Sequence, residues 1–265
     1  MARSPATPKR RYAAPALEKG LDILELLASR SEGLGQSQIA RALGRTPGEI
    51  FRMLTCLVER GYLRRGPGDD LYRLTYKLFE LAHHHPPTRL LLDRALPPMH
   101  RFAEDTGQSV HLALRHGDHA LIAAQVDGAG FMGFAVRVGA RVPLLETVSG
   151  SVLLAFQPPL VREIWYESCG AGPGSRRRKE MESLGEAIRE RGFEERESAT
   201  ILGITDVSYP VLDHTGRAVA ALTCPCLTRK GSHRGPAEVH EPLARAAAEI
   251  TQSLGAPEEE GTGGT

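Results

Sequence analysis

Thr46-Pro47-Gly48-Glu49 admits few readings: a hydroxyl at the N-cap, a proline at the first helical position and a glutamate at the third form a capping box, so a helix starts here. That helix is expected to run to about Arg60, with Ile50, Phe51, Leu54, Leu57 and Val58 inward and Gly61 closing it. Before it, a short helix is expected from Gln36 to Leu43, burying Ile39, Ala40 and Leu43, and Gly44 supplies the left-handed stop of a tight turn. A longer helix precedes both, from Ala16 to Arg30, where Leu17, Leu21, Leu24, Leu27 and Ala28 recur at helical spacing before Gly33 and Gly35. Two short helices across a glycine-containing turn make a helix-turn-helix. Tyr62 to Arg65 and Leu71 to Leu74 then flank Gly66-Pro67-Gly68-Asp69-Asp70, which predicts a hairpin, the wing of a winged helix-turn-helix.

Charge is spread to match. Residues 1–90 hold 15 lysines and arginines against 9 acids, a net of +6, whereas residues 91–265 hold 18 against 23, a net of −5. A basic small part joined to an acidic larger one points to a polyanionic partner for the first, although charge runs taken alone are more often solvated faces. A length of 265 residues exceeds what one core commonly uses, so two domains are expected. The sequence has no run of about 18 apolar residues, and its basic start lacks the apolar stretch of a secretory signal, so a cytoplasmic protein with no membrane partner is expected. The cysteines at 56, 169, 224 and 226 show neither Cys-x-x-Cys nor disulfide-framework spacing, and they read as reduced thiols. Cys224-Pro225-Cys226 is the one pair with a conceivable redox role, set against ordinary packing.

Beyond the wing, a short helix over 75–82 leads to His83-His84-His85-Pro86-Pro87, which reads as a boundary rather than a metal site, since adjacent histidines on a regular element cannot face one ion. Helix is expected over 89–106 in two segments broken at Pro97-Pro98. Strands are expected at 109–115, 119–126 and 131–138, helices at 149–156, 158–168 and 176–191, a hairpin at 204–212 and 217–224, and a final helix at 237–253. An antiparallel sheet flanked by helices fits this order. The divisions are a disordered arm 1–13, a winged helix-turn-helix 14–76, linker helices 77–106, a second domain 107–254 and a disordered tail 255–265.

Several stretches together resemble the IclR family of bacterial transcriptional regulators, and the resemblance covers about 14–254. They include Ala16 to Leu24, Gln38 to Gly44, Arg52-Met53-Leu54, His111-Leu112-Ala113, Gly139 to Leu144, Ser149 to Ala155, and Arg191-Gly192-Phe193 onward to Ile204. The resemblance implies an α+β chain: an N-terminal winged helix-turn-helix that binds DNA, a linker helix, and a C-terminal GAF-like α/β effector-binding domain with an antiparallel sheet. It implies no cofactor and no metal. Double-stranded DNA, in the form of an inverted-repeat operator, is the implied partner of a homodimer or homotetramer.

The resemblance places the helix from Pro47 in the major groove. DNA-binding candidates are Gln36, Arg45, Thr46, Gly48, Glu49, Arg52, Arg64, Arg65 and Arg73. Many family members carry a Lys-Ser-Thr-like run where this chain has Pro47-Gly48-Glu49, so the operator sequence is expected to differ. Glu49 either accepts from a cytosine amine or caps its own helix, and the cap is favoured. The wing arginines either straddle phosphates, enter a minor groove or simply solvate the hairpin. Effector-binding candidates are Phe131, Phe134, Val142, Val148, Ser149, Arg196, Ile204, Asp206, Thr223 and Cys224, each also open to a reading as core packing. Free amides at Ser149-Gly150 and the Arg196 guanidinium point to an organic or aromatic acid, against which Asp206 weighs unless the ligand also carries a donor.

Two other function classes remain in view. An enzyme using Ser149, His111, Asp206 or Cys224 would need a nucleophile elbow, phosphate loop or metal-ligand spacing that is absent from the sequence. A pocketless second domain that serves only in assembly would bind no acid.

Overall fold

The computed structural model describes residues 14–66, 68–83, 86–129, 133–198, 201–227 and 235–255. The chain divides into two compact units, Met1–Pro86 and Pro87–Thr265. The expected arm 1–13, nearly all of the tail, and His84 and His85 fall outside the described residues.

The first unit runs α1 (Pro15–Ala28), α2 (Gln36–Ala42), α3 (Pro47–Glu59), β1 (Leu63–Arg65), β2 (Tyr72–Leu74) and α4 (Lys77–His83). Gly44 takes φ +62° between α2 and α3, the left-handed turn that its lack of a Cβ allows. Strands β1 and β2 pair antiparallel with Arg64 opposite Arg73, and Leu34 adds a short bridge to Tyr72. Ile23, Leu27, Ile39, Ala40, Ile50, Leu54, Leu63 and Tyr72 close the core.

Two expectations fail within this unit. Leu17 and Leu21 are 63% and 48% exposed, because the inward stripe of α1 is centred on Ile23 and Leu27, and the two leucines instead line an open apolar groove with Met53, Leu57, Leu78 and Leu81. Phe51, expected inward, is 53% exposed. It stands about 100° around the helix from Ile50, at the edge of the buried arc made by Ile50, Leu54 and the flanking Leu57 and Val58.

The second unit opens with α5 (Pro86–Thr106), followed by β3 (Val110–His116), β4 (His119–Val126), β5 (Arg141–Pro143), a one-turn 3-10 helix at Leu144–Glu146, α6 (Val148–Ala155), α7 (Pro159–Ser168), α8 (Arg176–Arg191), β6 (Glu194–Glu197), β7 (Ile204–Leu212), β8 (Ala218–Leu227) and α9 (Pro236–Ser253). The sheet is six-stranded and antiparallel, in the order β5-β4-β3-β8-β7-β6. Because side chains alternate along a strand, it presents two different faces. One packs Leu112, Val207, Leu222 and Cys224 under Met99 and Phe102 of α5 and Leu243 and Ile250 of α9. The other packs Ala113, Ile122 and Ala221 under Val152 and Leu153 of α6, with Trp165 of α7 and Ile188 of α8.

Helix α5 is one element, not two segments, and it belongs to this core rather than to a linker. Pro86 and Pro87 occupy a first turn whose N–H groups need no intrahelical partner, and burial of Ala95, Met99 and Phe102 outweighs the ladder bonds lost at Pro97 and Pro98. The expected strand at 131–138 is absent from its described part, 133–138. The first half of the outer edge of β4 is taken, by β5 from His119 to Leu121 and by Gly139 and Ala140 at Ile122, and beyond it Val136 N donates to the Gln125 side chain rather than to the β4 backbone. Among the described residues no helix is long and apolar enough to cross a membrane.

Candidate functional site

In the first unit the capping box forms as read. Thr46 N and Oγ1 donate to Glu49 Oε2 at 2.8 and 3.0 Å, and Glu49 N donates back to Thr46 Oγ1 at 3.4 Å. Lys19 Nζ holds the other carboxylate oxygen at 3.3 Å. These partners, the Thr46 backbone N–H first, pull the Glu49 carboxyl down to about 2. Both of its oxygens are engaged, so Glu49 shapes the helix start rather than facing a base. Gln36 is spent in the same way: its Nε2 donates to Pro47 O at 2.9 Å and ties α2 to the first turn of α3.

What α3 leaves outward is Gly48, Phe51, Arg52 and Thr55, all exposed, with Arg45 exposed just before it. Among the described residues Arg52 has no ion-pair partner, which leaves its guanidinium fork available. The wing is less uniform than its sequence suggests. Arg73 Nη2 pairs with Asp69 Oδ2 at 2.6 Å and Arg65 Nη2 with Asp70 Oδ1 at 2.9 Å. Arg64 is exposed and unpaired among the described residues.

In the second unit, a polar row crosses the α6 face of the sheet. The registers align Gln125 of β4, His111 of β3, Thr223 of β8, Ser208 of β7 and Glu194 of β6. Thr223 Oγ1 lies 2.8 Å from Ser208 Oγ and 2.9 Å from Ser149 Oγ, and Ser149 Oγ lies 3.5 Å from His111 Nε2. Burial alone pushes His111 down to about 4, so the imidazole is neutral near pH 7. Its Nδ1 is buried and has no hydrogen-bond partner among the described residues. Glu194 is buried and held by Arg191 at 2.6 Å, with desolvation raising its carboxyl above the usual range.

One register step outward on the same face, Asp206 of β7 lies opposite Arg196 of β6. Burial raises the Asp206 carboxyl, opposed by a Ser198 hydrogen bond and the Arg196 charge. The segment after β4 is held over this end of the sheet: Val136 N donates to Gln125 Oε1 at 3.4 Å and Gly128 N to Ser109 Oγ at 3.1 Å.

Against this geometry the effector candidates divide. Ser149, Thr223, Asp206, Arg196 and Ile204 share the polar face, and Val148 is buried at the start of α6. Val142 and Phe134 are half-buried, and Phe131 lies outside the described residues. Cys224 points the other way: one residue past Thr223 it must face the α5 and α9 core, where it is fully buried beside Cys226, so packing accounts for it. Nor is the Gly150 amide free, because it donates to Thr147 Oγ1 at 3.2 Å in the N-cap.

The family models for the IclR helix-turn-helix domain and for the bacterial transcriptional regulator IclR C-terminal domain match residues 16–67 and 88–252. The chain belongs to the IclR family of transcriptional regulators. It is 26% identical over 247 residues to the HTH-type transcriptional regulator XynR of Escherichia coli strain K12, covering 91% of this chain and 98% of that protein. The crystal structure of the Thermotoga maritima IclR superposes with a TM-score of 0.72 at 26% identity over 90% of this chain and 98% of that one. An IclR homologue from Microbacterium hydrocarbonoxydans, described in complex with 4-hydroxybenzoate, gives 0.74 at 24% identity over 90% and 98%. As an IclR-family member this chain is a DNA-binding transcriptional regulator with an effector-binding C-terminal domain.

Within that IclR frame, sequence reasoning missed Phe51 on the outer face of α3 and Gln125 and Ser208 in the polar row, and it named His111 only as an enzyme candidate. Phe51 fits the apolar spacing of α3 beside Val58, so only its place at the edge of the buried arc turns it outward. The row had no local signal, because only the pairing of four distant strands brings it together.

Proposed function

We propose that this chain binds an inverted-repeat operator as a homodimer or homotetramer in the cytoplasm, and that a small organic or aromatic acid seated on the polar face of the second unit controls that binding. The outward face of α3 carries the DNA half of this reading: Arg52 is unpaired, Phe51 and Thr55 stand beside it, and the cap has removed Glu49 from competition. An exposed phenyl ring suits a thymine methyl and an arginine fork suits guanine O6 and N7. A two-fold assembly supplies the affinity that one short half-site lacks.

For the effector, Arg196 offers a guanidinium to a carboxylate, while Asp206, raised by burial, suits a ligand that also carries a donor. The 4-hydroxybenzoate held by the Microbacterium protein combines both groups. The test is a thermal-shift screen of small carboxylates, 4-hydroxybenzoate included, followed by electrophoretic mobility shift of inverted-repeat DNA with and without each hit. A ligand at 100 times its Kd should add about 2.7 kcal/mol of stability, which shows as a raised Tm. The DNA half fails if no inverted repeat is retarded even at low salt, and the effector half fails if no carboxylate shifts Tm. A hit that is consumed would favour an enzyme.

A further inference from the structure

We propose that His111 is the residue that reads the effector, and that it does so as a donor: a relay of buried hydroxyls fixes its Nδ1–H tautomer, so the ligand must present an acceptor oxygen. The inference rests on the effector reading above and narrows it to one atom.

The argument is a count of hydrogens along Ser208, Thr223, Ser149 and His111, all buried, with His111 only 6% exposed. Each hydroxyl has one hydrogen to give, and a neutral imidazole carries its hydrogen on one nitrogen. Let the chain run from Ser208 to Thr223, to Ser149, to His111 Nε2. Every hydroxyl hydrogen then has an acceptor, and the only orphan is the Nδ1–H. Now reverse it. Nε2–H gives to Ser149, Ser149 to Thr223 and Thr223 to Ser208, whose own hydrogen meets no acceptor among the described residues. Nearby Glu194 sits across the ladder from Ser208 but is engaged by Arg191, and no bond joins it to the serine. The reversed chain thus strands two groups, the Ser208 hydroxyl hydrogen and the Nδ1 lone pair, where the first strands one. Each buried unmet polar group costs roughly 1–3 kcal/mol, which favours the first direction.

A buried donor without a partner is itself costly, and a fold retains one where something else supplies the acceptor. His111 shares the face of the Arg196 and Asp206 pair, one register row inward and, across β8, two strands from Asp206 and three from Arg196. A carboxylate or carbonyl oxygen is the chemistry that completes it. An ammonium group, which can only donate, would leave Nδ1–H still unmet.

Long-range proton–nitrogen correlation spectra of the full chain, labelled with nitrogen-15 in histidine, test this directly, with His111 assigned by the signals lost in His111→Gln. Free protein at pH 7 should show the Nδ1–H tautomer at this site. An Nε2–H tautomer or an imidazolium there would overturn the inference whatever ligand the protein takes. Calorimetry with 4-hydroxybenzoate supplies the second arm. His111→Asn, whose amide nitrogen stands where Nδ1 stood, should bind within a few-fold of wild type, and His111→Gln should bind at least tenfold more weakly. Equal affinity of wild type and His111→Gln would sink the role of His111. Ser149→Ala gives a check that leaves the imidazole in place: removing the hydroxyl that donates to Nε2 should release the tautomer into a mixture, and an unchanged pure Nδ1–H form would remove the relay from the argument. If neither 4-hydroxybenzoate nor any other carboxylate binds wild-type protein, the acid reading falls and takes the ligand half with it. The tautomer measurement still decides the relay independently.

Discussion

Three residues apart on one helix, Glu49 and Arg52 have opposite fates. The first has one oxygen in the cap and the other on Lys19; the second is exposed and has no ion-pair partner among the described residues. Arg52→Ala should therefore cost about 1–3 kcal/mol of operator affinity and leave Tm unchanged, as fluorescence anisotropy and calorimetry would show. An equal loss on scrambled DNA would reassign Arg52 to phosphate contact. His111 makes a prediction about stability instead. Its folded pKa of about 4 lies below the unfolded value near 6.5, so under acid the unfolded chain takes up a proton that the folded one refuses. Its contribution is intact above pH 6.5 and is lost progressively as pH falls towards 4, by on the order of 3 kcal/mol. Urea denaturation across that window should show the decline in wild type and a shallower one in His111→Gln; parallel curves would mean the imidazole is solvated.

At the scale of elements, what the sequence makes legible depends on how local the cause is. Helices α2, α3 and α8 lie within a residue or so of their expected bounds, because caps and glycine stops act over three or four residues. The hairpin of β7 and β8 follows from strong alternation about Asp213 to Gly216. Strand β6 did not announce itself, since Glu-Glu-Arg-Glu has no apolar period and is a strand only because β7 offers it an edge. The same holds for the polar row, whose members are separated by most of the second unit. In the wing, sequence shows arginines but not their pairing. Arg64 is unpaired among the described residues, whereas Arg73 is held by Asp69, whose carboxyl is lowered chiefly by that bond. Each phosphate neutralised contributes about 0.9 to the slope of log affinity against log salt. Arg64→Ala should reduce the slope by about 1, and Arg73→Ala by clearly less. Titrations at four or five salt concentrations measure both, and equal changes would show that the Asp69 pair breaks on DNA.

For the molecule as a whole, the question is whether the two units act as one device. Binding free energies obey linkage: if the effector weakens operator affinity by some factor, operator DNA must weaken effector affinity by the same factor. Regulation of useful depth needs a coupling of roughly 1–3 kcal/mol, or about 5- to 150-fold. A ligand that merely fits the polar face, without distinguishing the DNA-binding state from the other, shifts nothing however tightly it binds. The expected outcome is therefore reciprocal. An acid that lowers operator affinity tenfold should itself bind ten times more weakly to the protein already on its operator, and His111→Gln should reduce effector affinity in both states while leaving operator affinity without effector at the wild-type value. Calorimetric titration of the acid into free protein and into the operator complex measures the two arms. An acid that binds equally in both would make the second unit a ligand-binding assembly domain and would separate it from control of the first.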